Sequence, residues 1–208
     1  MRDVINWFKD GESLLIKMLP SKRKALINVS EAVPMGPTIS SNDGKKAQNR
    51  TYQDLLKNPN DEFNFEQLAL SELYKINLDG TKSKWKEADM YTSISFSPNG
   101  AYTMVVTVDR PFSYLVPYRR FPSKTNIYSK DGDLVFELLE TPLIEDLPKG
   151  FMAVRMGMRN ISWRNDKPSS LIYVQALDGG DPENEVEYRD EVFELEAPFN
   201  SRGESLLK

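Results

Sequence analysis

The chain contains neither cysteine nor histidine. Without cysteine it forms no disulfide bond, and it offers neither a thiol nucleophile nor a thiolate ligand for a metal. Without histidine it lacks the Ser-His-Asp and Cys-His catalytic sets, a histidine-bound zinc site and the most common general base near neutral pH. The GxSxG, GxxxxGK[ST] and GxGxxG motifs are absent as well. The sequence therefore predicts a chain that is not an enzyme by itself, with no catalytic residue, no cofactor and no metal site.

Long apolar runs and an excess of positive charge are also missing. No apolar run approaches the roughly 18 residues that a membrane-spanning helix needs. The 27 basic and 31 acidic residues give a formal net charge of -4, whereas general binding to nucleic acid depends on a clustered basic surface. We therefore expect neither a membrane nor a nucleic acid as a partner.

Strand-forming residues begin almost at Met1 with no apolar leader, which favours a piece of a longer polypeptide.

The clearest local pattern is a β-hairpin over residues 94–106, ISFSPNGAYTMVV. Pro98 presets the backbone for a turn, and the pair Asn99 and Gly100 tolerates the positive φ that a reversal requires. β-Branched and aromatic residues flank the turn on both sides. The same pattern returns over residues 5–17 and 161–174, so the chain is predicted to contain three related units.

Each repeat carries one aromatic residue at the same place, after an aliphatic residue and a small polar one. These aromatic residues are Trp7, Phe96 and Trp163. Aromatic rings of this kind could form a platform for a ligand. Their equal placement in successive units instead favours packing between the units.

Each unit supplies about four strands in a meander, which is typical of a propeller blade. The repeats are spaced more widely than the ~40 to 50 residues of a plain blade, because long loops are inserted. The predicted fold is all-β: a single domain over 1–208 that forms a partial β-propeller of about three four-stranded blades. The blades are predicted over residues 1–88 with a long insertion, 89–150 and 151–208. A β-sandwich built from hairpins is the alternative.

The long insertion of the first unit is predicted to be a surface loop that carries a short helix. Residues 21–49 are rich in lysine, serine, asparagine, proline and glycine. The segment 51–57 favours a short helix capped by Thr51. Residues 68–78 are predicted as a strand because an Asp-Gly turn follows, while a helix over residues 65–76 is the competing interpretation.

Three longer segments carry a resemblance to a known family. They are VPMGPTISSNDGKKAQNRTYQDLLK, RPFSYLVPYRRFP and GMRNISWRNDKPSSLIYVQALDGGD. They resemble the N-terminal propeller of the glutamyl endopeptidase branch of the prolyl oligopeptidase family of serine peptidases. The resemblance implies a propeller of about seven blades that covers an α/β-hydrolase domain and gates the access of peptides to it. That hydrolase domain is absent from this sequence, so it becomes the implied partner, with a peptide as the substrate. Exported or periplasmic residence is likewise only implied.

The second of these segments, residues 110–122, contains the candidate substrate contacts. Guanidinium groups and amphipathic rings are concentrated there, and they suit peptide carboxylates or acidic side chains. The candidate contacts are Arg110, Tyr114, Tyr118, Arg119 and Arg120. The alternative interpretation is that the arginines pair with acidic neighbours and the rings pack beneath a long loop.

An acidic loop follows the third repeat. Asp178, Asp181, Glu183 and Glu185 supply oxygen ligands of the type that calcium takes. Their spacing matches no EF-hand loop, so we favour a solvated acidic loop.

Two functions remain open at the level of sequence. The first is a non-catalytic, substrate-gating propeller of a serine endopeptidase. The second is a free-standing propeller-like module for protein interaction. Three blades would leave open sheet faces at both ends, so we also expect self-association through these faces.

Overall fold

The protein is described by a computed structural model that covers residues 4–28, 31 and 52–208. Within these residues, twelve strands form three four-stranded antiparallel sheets in chain order. The first sheet contains β1 (Ile5–Trp7), β2 (Ser13–Met18), β3 (Ser71–Asn77) and β4 (Lys82–Asp89). The second contains β5 (Tyr91–Phe96), β6 (Tyr102–Val108), β7 (Ser123–Ser129) and β8 (Leu134–Thr141). The third contains β9 (Arg159–Trp163), β10 (Ser170–Ala176), β11 (Asp190–Glu196) and β12 (Glu204–Leu207). The predicted all-β class and the four-stranded units are confirmed.

The helix α1 (Pro59–Ala69) lies in the long connection of the first sheet. The side chain of Asn58 caps it by accepting a hydrogen bond from the backbone N–H of Asp61 at 3.0 Å. Pro59 opens the first turn, where its missing N–H costs nothing. The prediction of a helix over 51–57 was wrong: residues 52–57 are not helical, and the predicted cap Thr51 lies outside the described residues, as does most of the predicted loop 21–49.

The ambiguous segment 65–76 contains both a helix and a strand. The helix ends at Ala69; the next residue, Leu70, has an extended backbone (φ -61°, ψ 130°) that turns the chain, and β3 begins at Ser71. The predicted strand over 68–78 is therefore confirmed from Ser71 onward, and the competing helix is correct only for the first part of the segment.

The short turns and the long connections of the meander lie at opposite ends of the sheets. The turns within the predicted hairpins lie at one end of the sheets, which we call the turn end. There the backbone N–H of Asn99 donates to the carbonyl oxygen of Pro168 at 3.1 Å, and the hydroxyl of Ser169 donates to the Asn99 side chain at 2.8 Å. Helix α1 and the connections 109–122, 142–158 and 177–189 lie at the other end, which we call the loop end.

Neighbouring sheets pack face to face. The interface between the first and second sheets buries Phe8, Leu15, Leu73, Trp85, Tyr91 and Val105. The interface between the second and third sheets buries Met104, Ile127, Leu138, Leu171, Tyr173, Leu195 and Phe199. Burial of these apolar side chains, at about 25 cal/mol per Å², is the main force that holds the stack together.

Two of the three repeated aromatic residues pack between sheets. The ring of Phe96 lies 4.9 Å from that of Phe8 in the first sheet. Trp163 reaches from the third sheet to Ser95 in the second. Trp7 does not follow the prediction: it is 55% exposed, and Ile5 beside it is 58% exposed. Both point away from the second sheet, and no described residue of another sheet covers them.

Among the described residues, no helix is both long and apolar enough to cross a membrane.

Candidate functional site

The connector, residues 110–122, is anchored at the loop end by a third apolar cluster. Phe112, Val116 and Phe121 of the connector are buried against β6 and helix α1. Phe65 of α1 meets Phe112 edge to face at 5.1 Å and Phe121 at 5.8 Å. At its base, the backbone N–H of Asp109 donates to the carbonyl oxygen of Pro122 at 2.7 Å. The connector is therefore held at both ends and beneath its middle.

Arg110 belongs to this anchoring. Its guanidinium group forms ion pairs with Glu62 at 2.8 Å and Glu66 at 2.7 Å, both on α1. It also lies 4.5 Å from the centroid of the Phe112 ring. Hydrogen bonds to Glu66 and Glu62 raise the pKa of Arg110 above its usual range. For this residue, the geometry matches the alternative interpretation of pairing with acidic neighbours.

The two candidate tyrosines lie close to the same helix. Tyr114 is half-buried close to Glu62, and partial burial together with the interaction with Glu62 raises the pKa of its phenol. Tyr118 opens a short 3-10 turn, is 51% exposed, and its ring centroid lies 6.3 Å from that of Phe65. Tyr118 therefore presents an accessible ring at the loop end.

Arg119 and Arg120 lie in a different place from Arg110. Both line a cavity of about 380 Å³ between the second and third sheets. The guanidinium group of Arg120 lies 5.3 Å from the Tyr52 ring, and Arg119 is exposed. The structure thus separates the five candidates: Arg110 and Tyr114 attach the connector to α1, while Arg119 and Arg120 face the cavity.

A third arginine, Arg155, lines the same cavity. It lies in the connection 142–158, which meets the connector where the backbone N–H of Ile144 donates to the carbonyl oxygen of Arg120 at 3.0 Å. The sequence analysis missed Arg155 because nothing near it marks a site. Only its basic side chain, in a long connection at the loop end, could have suggested it.

We call the space lined by Arg119, Arg120 and Arg155 the arginine cavity, and none of the described residues that line it is acidic. Hydroxyl groups of Ser123, Thr125 and Thr141 and the amide of Asn160 supply further polar groups. The rest of the lining is aliphatic. An anion with an apolar stem suits this combination of groups.

Two of the four carboxylates of the acidic loop, those of Asp178 and Asp181, are engaged within that loop. The side chain of Asp178 is buried and accepts hydrogen bonds from Arg189 at 2.6 Å and from the Gly180 N–H at 2.7 Å. Burial alone would raise the pKa of Asp178, but the bonds from Arg189 and Gly180 outweigh it and lower the pKa. Asp181 accepts from the Glu183 N–H at 3.0 Å. These contacts give Asp178 and Asp181 a structural role in shaping the loop.

Comparison with curated proteins finds relatives along most of the chain, although no family model matches it. A protein of Oryza sativa subsp. japonica is 40% identical over 200 residues, which are 95% of this chain and 21% of the relative. A protein of Arabidopsis thaliana is 41% identical over 185 residues, which are 88% of this chain and 19% of the relative. The chain thus spans about one fifth of the length of each. Both relatives carry the name "Probable glutamyl endopeptidase, chloroplastic", so the chain is homologous to one part of proteins named as glutamyl endopeptidases.

Proposed function

We propose that this chain is the non-catalytic, substrate-gating portion of a serine peptidase of the prolyl oligopeptidase family, glutamyl endopeptidase branch. The observation that carries the proposal is the 40% identity over 200 residues to a protein named as a glutamyl endopeptidase. The fold supports the proposal as well. The three stacked sheets form a rigid framework, and their long connections lie together at one end, where loops can carry binding residues.

The three sheets are, in this proposal, consecutive blades of a β-propeller, over residues 1–88, 89–150 and 151–208. Successive sheets pack through equivalent positions: Phe96 contacts the first sheet and Trp163 the second. Trp7 occupies the same position in the first sheet but is exposed. A preceding blade of the parent protein would cover it in the same way.

The catalytic groups belong elsewhere in the parent protein. The chain has no histidine, and the relatives extend over about five times its length, which leaves ample room for an α/β-hydrolase domain. We place that domain on the loop end, where the connector and the arginine cavity lie. The peptide substrate would then pass the exposed side chains of the connector, including Leu115 and Tyr118, on its way to the active site.

The experiment is a kinetic comparison of variants of the full-length parent enzyme. Leu115→Ser removes an exposed apolar contact on the connector, and Leu78→Ser removes a similarly exposed leucine at the turn end, 61% and 70% exposed respectively. Loss of such a contact, worth about 1 kcal/mol, should raise KM for a long unfolded polypeptide about fivefold in Leu115→Ser with kcat almost unchanged. Leu78→Ser should match the wild type. Equal KM values in both variants would contradict the placement of the loop end on the substrate path.

The alternative is a free-standing module for protein interaction, favoured by the exposed apolar face around Ile5 and Trp7. The coding sequence separates the two functions. Continuation into a GxSxG motif and a downstream histidine supports the peptidase, whereas a stop directly after Lys208 supports the module.

A further inference from the structure

Helix α1 presents opposite faces to two different segments of the chain. On one face, Glu62 and Glu66 pair with the connector. On the other face, Asn64 and Gln67 form hydrogen bonds with residues 21–28, which we call the docked segment. With 3.6 residues per turn, the two pairs of side chains lie on opposite sides of the helix. The second face is therefore free of any role in anchoring the connector.

Asn64 binds a single residue of the docked segment through both atoms of its amide group. Its Oδ1 accepts a hydrogen bond from the backbone N–H of Ile27 at 2.8 Å. Its Nδ2 donates to the carbonyl oxygen of the same residue at 2.9 Å. Paired residues of an antiparallel sheet exchange the same two kinds of bond. The side chain of Asn64 thus takes the place of a neighbouring strand for Ile27.

Gln67 extends this contact by one further bond. Its Oε1 accepts from the backbone N–H of Lys24 at 2.9 Å. Gln67 is 7% exposed, and a buried amide oxygen without a hydrogen bond would cost free energy. Asn64 and Gln67 are three residues apart, as are Lys24 and Ile27, so helix and segment match in spacing. We call Asn64 and Gln67 together the amide clamp.

The bonds of the amide clamp go to the backbone of the docked segment, whose side chains face solvent. Lys24, Ala25 and Asn28 are exposed, and Leu26 is 44% exposed. Residues 23–28, all within the described part of the chain, form neither a helix nor a strand. Every residue except proline offers the same backbone N–H and carbonyl groups. The amide clamp therefore suits a peptide of almost any sequence.

The docked segment is held in a way that permits exchange. Water competes for the backbone groups that bond to the clamp, so each bond contributes only a small net free energy. Fixing the segment also costs conformational entropy of its backbone. Because its side chains bury little apolar surface, few other contacts oppose its release.

We propose that the amide clamp is a binding site for the backbone of a peptide, and that the docked segment occupies this site in cis. A peptide from outside must displace the segment, which thereby restricts access to the clamp. The clamp rests on the hydrogen bonds of α1 alone. That the bound peptide is a substrate of the parent enzyme rests on the proposed function.

The first test releases the docked segment and measures binding of a peptide in its place. The probe is a capped, fluorescein-labelled octapeptide with the sequence of residues 21–28, Ser-Lys-Arg-Lys-Ala-Leu-Ile-Asn, followed by fluorescence anisotropy. Lys24→Pro and Ile27→Pro each remove an N–H that donates to the clamp. A tethered competitor acts at an effective concentration of about a millimolar, so its release should tighten binding of the probe at least about tenfold. No tightening in either folded variant would overturn occupation in cis.

A peptide series then tests whether the backbone is what the clamp recognises. In the Ile27→Pro chain, a peptide with the same composition in scrambled order should bind with nearly the same affinity as the probe. A probe that carries proline in place of its own isoleucine should bind about tenfold more weakly, because it lacks one donor. Failure of the scrambled peptide to bind, or full affinity of the proline peptide, would overturn backbone recognition.

A variant of the clamp locates the site. Asn64→Leu, made in the Ile27→Pro chain, keeps the size of the side chain but loses both bonds, and it should weaken binding at least about tenfold. Asn200→Leu, at an exposed asparagine of the third sheet, is the matched control and should leave the affinity unchanged. An amide NMR spectrum that matches the parent variant away from the substitution establishes that each protein is folded. Unchanged affinity in folded Asn64→Leu would overturn the location.

The site and the proposed function fail in distinguishable ways. If the released chain binds the probe through Asn64 but the full-length parent cleaves no peptide, the amide clamp is supported and the peptidase function is refuted. If the parent cleaves peptides but the released chain binds no probe, the clamp is refuted alone.

Discussion

The indole N–H of Trp163 donates a hydrogen bond to the backbone carbonyl oxygen of Ser95 at 3.3 Å. This bond joins the third sheet to the second, and the Trp163 ring also meets Phe199 edge to face at 5.8 Å. A single side chain thus provides a polar contact across the interface and an apolar contact within the third unit, where Phe199 in turn meets Tyr102 of the second sheet at 5.2 Å.

Replacing Trp163 tests the polar part of this contact. Trp163→Phe keeps an aromatic ring but removes the donor and leaves the Ser95 carbonyl without its bond. We expect the free energy of unfolding to fall by about 1 to 2 kcal/mol, measured by urea denaturation. The control is Trp7→Phe, which changes an exposed ring of the same type and should alter stability by less than about 0.5 kcal/mol. Equal effects of the two substitutions would contradict the role of Trp163.

Substitutions of two neighbouring glycines distinguish the cost of backbone strain from the cost of a steric collision. Gly179 and Gly180 both have positive φ values, 72° and 83°. A Cβ atom on Gly179 would meet nothing within 4 Å, but on Gly180 it would collide with the carbonyl oxygen of Val154. Gly179→Ala should cost about 1 kcal/mol from strain alone, and Gly180→Ala clearly more. Urea denaturation measures both losses of stability, and identical values for the two variants would contradict the packing of these connections.

Glu194 gives the stability a defined dependence on pH. It is 5% exposed and forms ion pairs with Arg164 and Lys167, both at 2.8 Å. Burial alone would raise its pKa, but bonds from Lys167 and Ser170 and the charge of Arg164 outweigh it, so the pKa is lowered. A carboxyl group with a lowered pKa stabilises the folded state above its unfolded value of about 4.3, and this contribution is lost as the pH falls through the folded value.

We therefore expect Glu194→Gln to be less stable than the wild type at neutral pH, with a difference that narrows as the pH falls below about 4.3. Urea denaturation at a series of pH values measures this difference. Glu187→Gln, which changes an exposed carboxylate, is the control and should show no such narrowing. A difference that stays constant down to acidic pH would show that Glu194 acts through packing alone.

The apolar face around Ile5 and Trp7 should make the chain associate with itself. Exposed apolar surface on an unpaired sheet favours burial against a second copy. We expect sedimentation velocity to show association that increases with concentration, and Trp7→Glu to abolish it. Phe151→Glu, at a residue that is 91% exposed at the loop end, should have no effect. A wild-type chain that stays monomeric over a wide concentration range would contradict this prediction.

The hairpins could be predicted because turn chemistry is local. The pair Asn99 and Gly100 identifies its turn without reference to the rest of the chain, and Gly100 indeed has a φ of 72°. The start of α1 could have been predicted in the same way, because Asn58 and Pro59 are an equally local signal for a helix start; the sequence analysis instead places the helix cap at Thr51.

The arginine cavity could be predicted only in part. Arg119 and Arg120 stand together in the sequence and form a basic cluster, which predicts a contact with an acidic group. Arg110 belongs to the same cluster, but its contact with Glu62 and Glu66 depends on where α1 lies. Arg155 reaches the cavity only because the second and third sheets stack. The connection 142–158 and the connector meet only through tertiary packing, so their separation in the sequence gives no sign that they line one cavity.

The second sheet has a neighbour on both faces, whereas described residues cover the first and third sheets on one face each. In a stack of this kind, each unit gains free energy from every interface that it shares. Local opening of an outer sheet breaks one interface, and opening of the middle sheet breaks two. The backbone amides of β6 and β7 should therefore exchange with solvent most slowly, and order should be lost from the two ends of the stack inward.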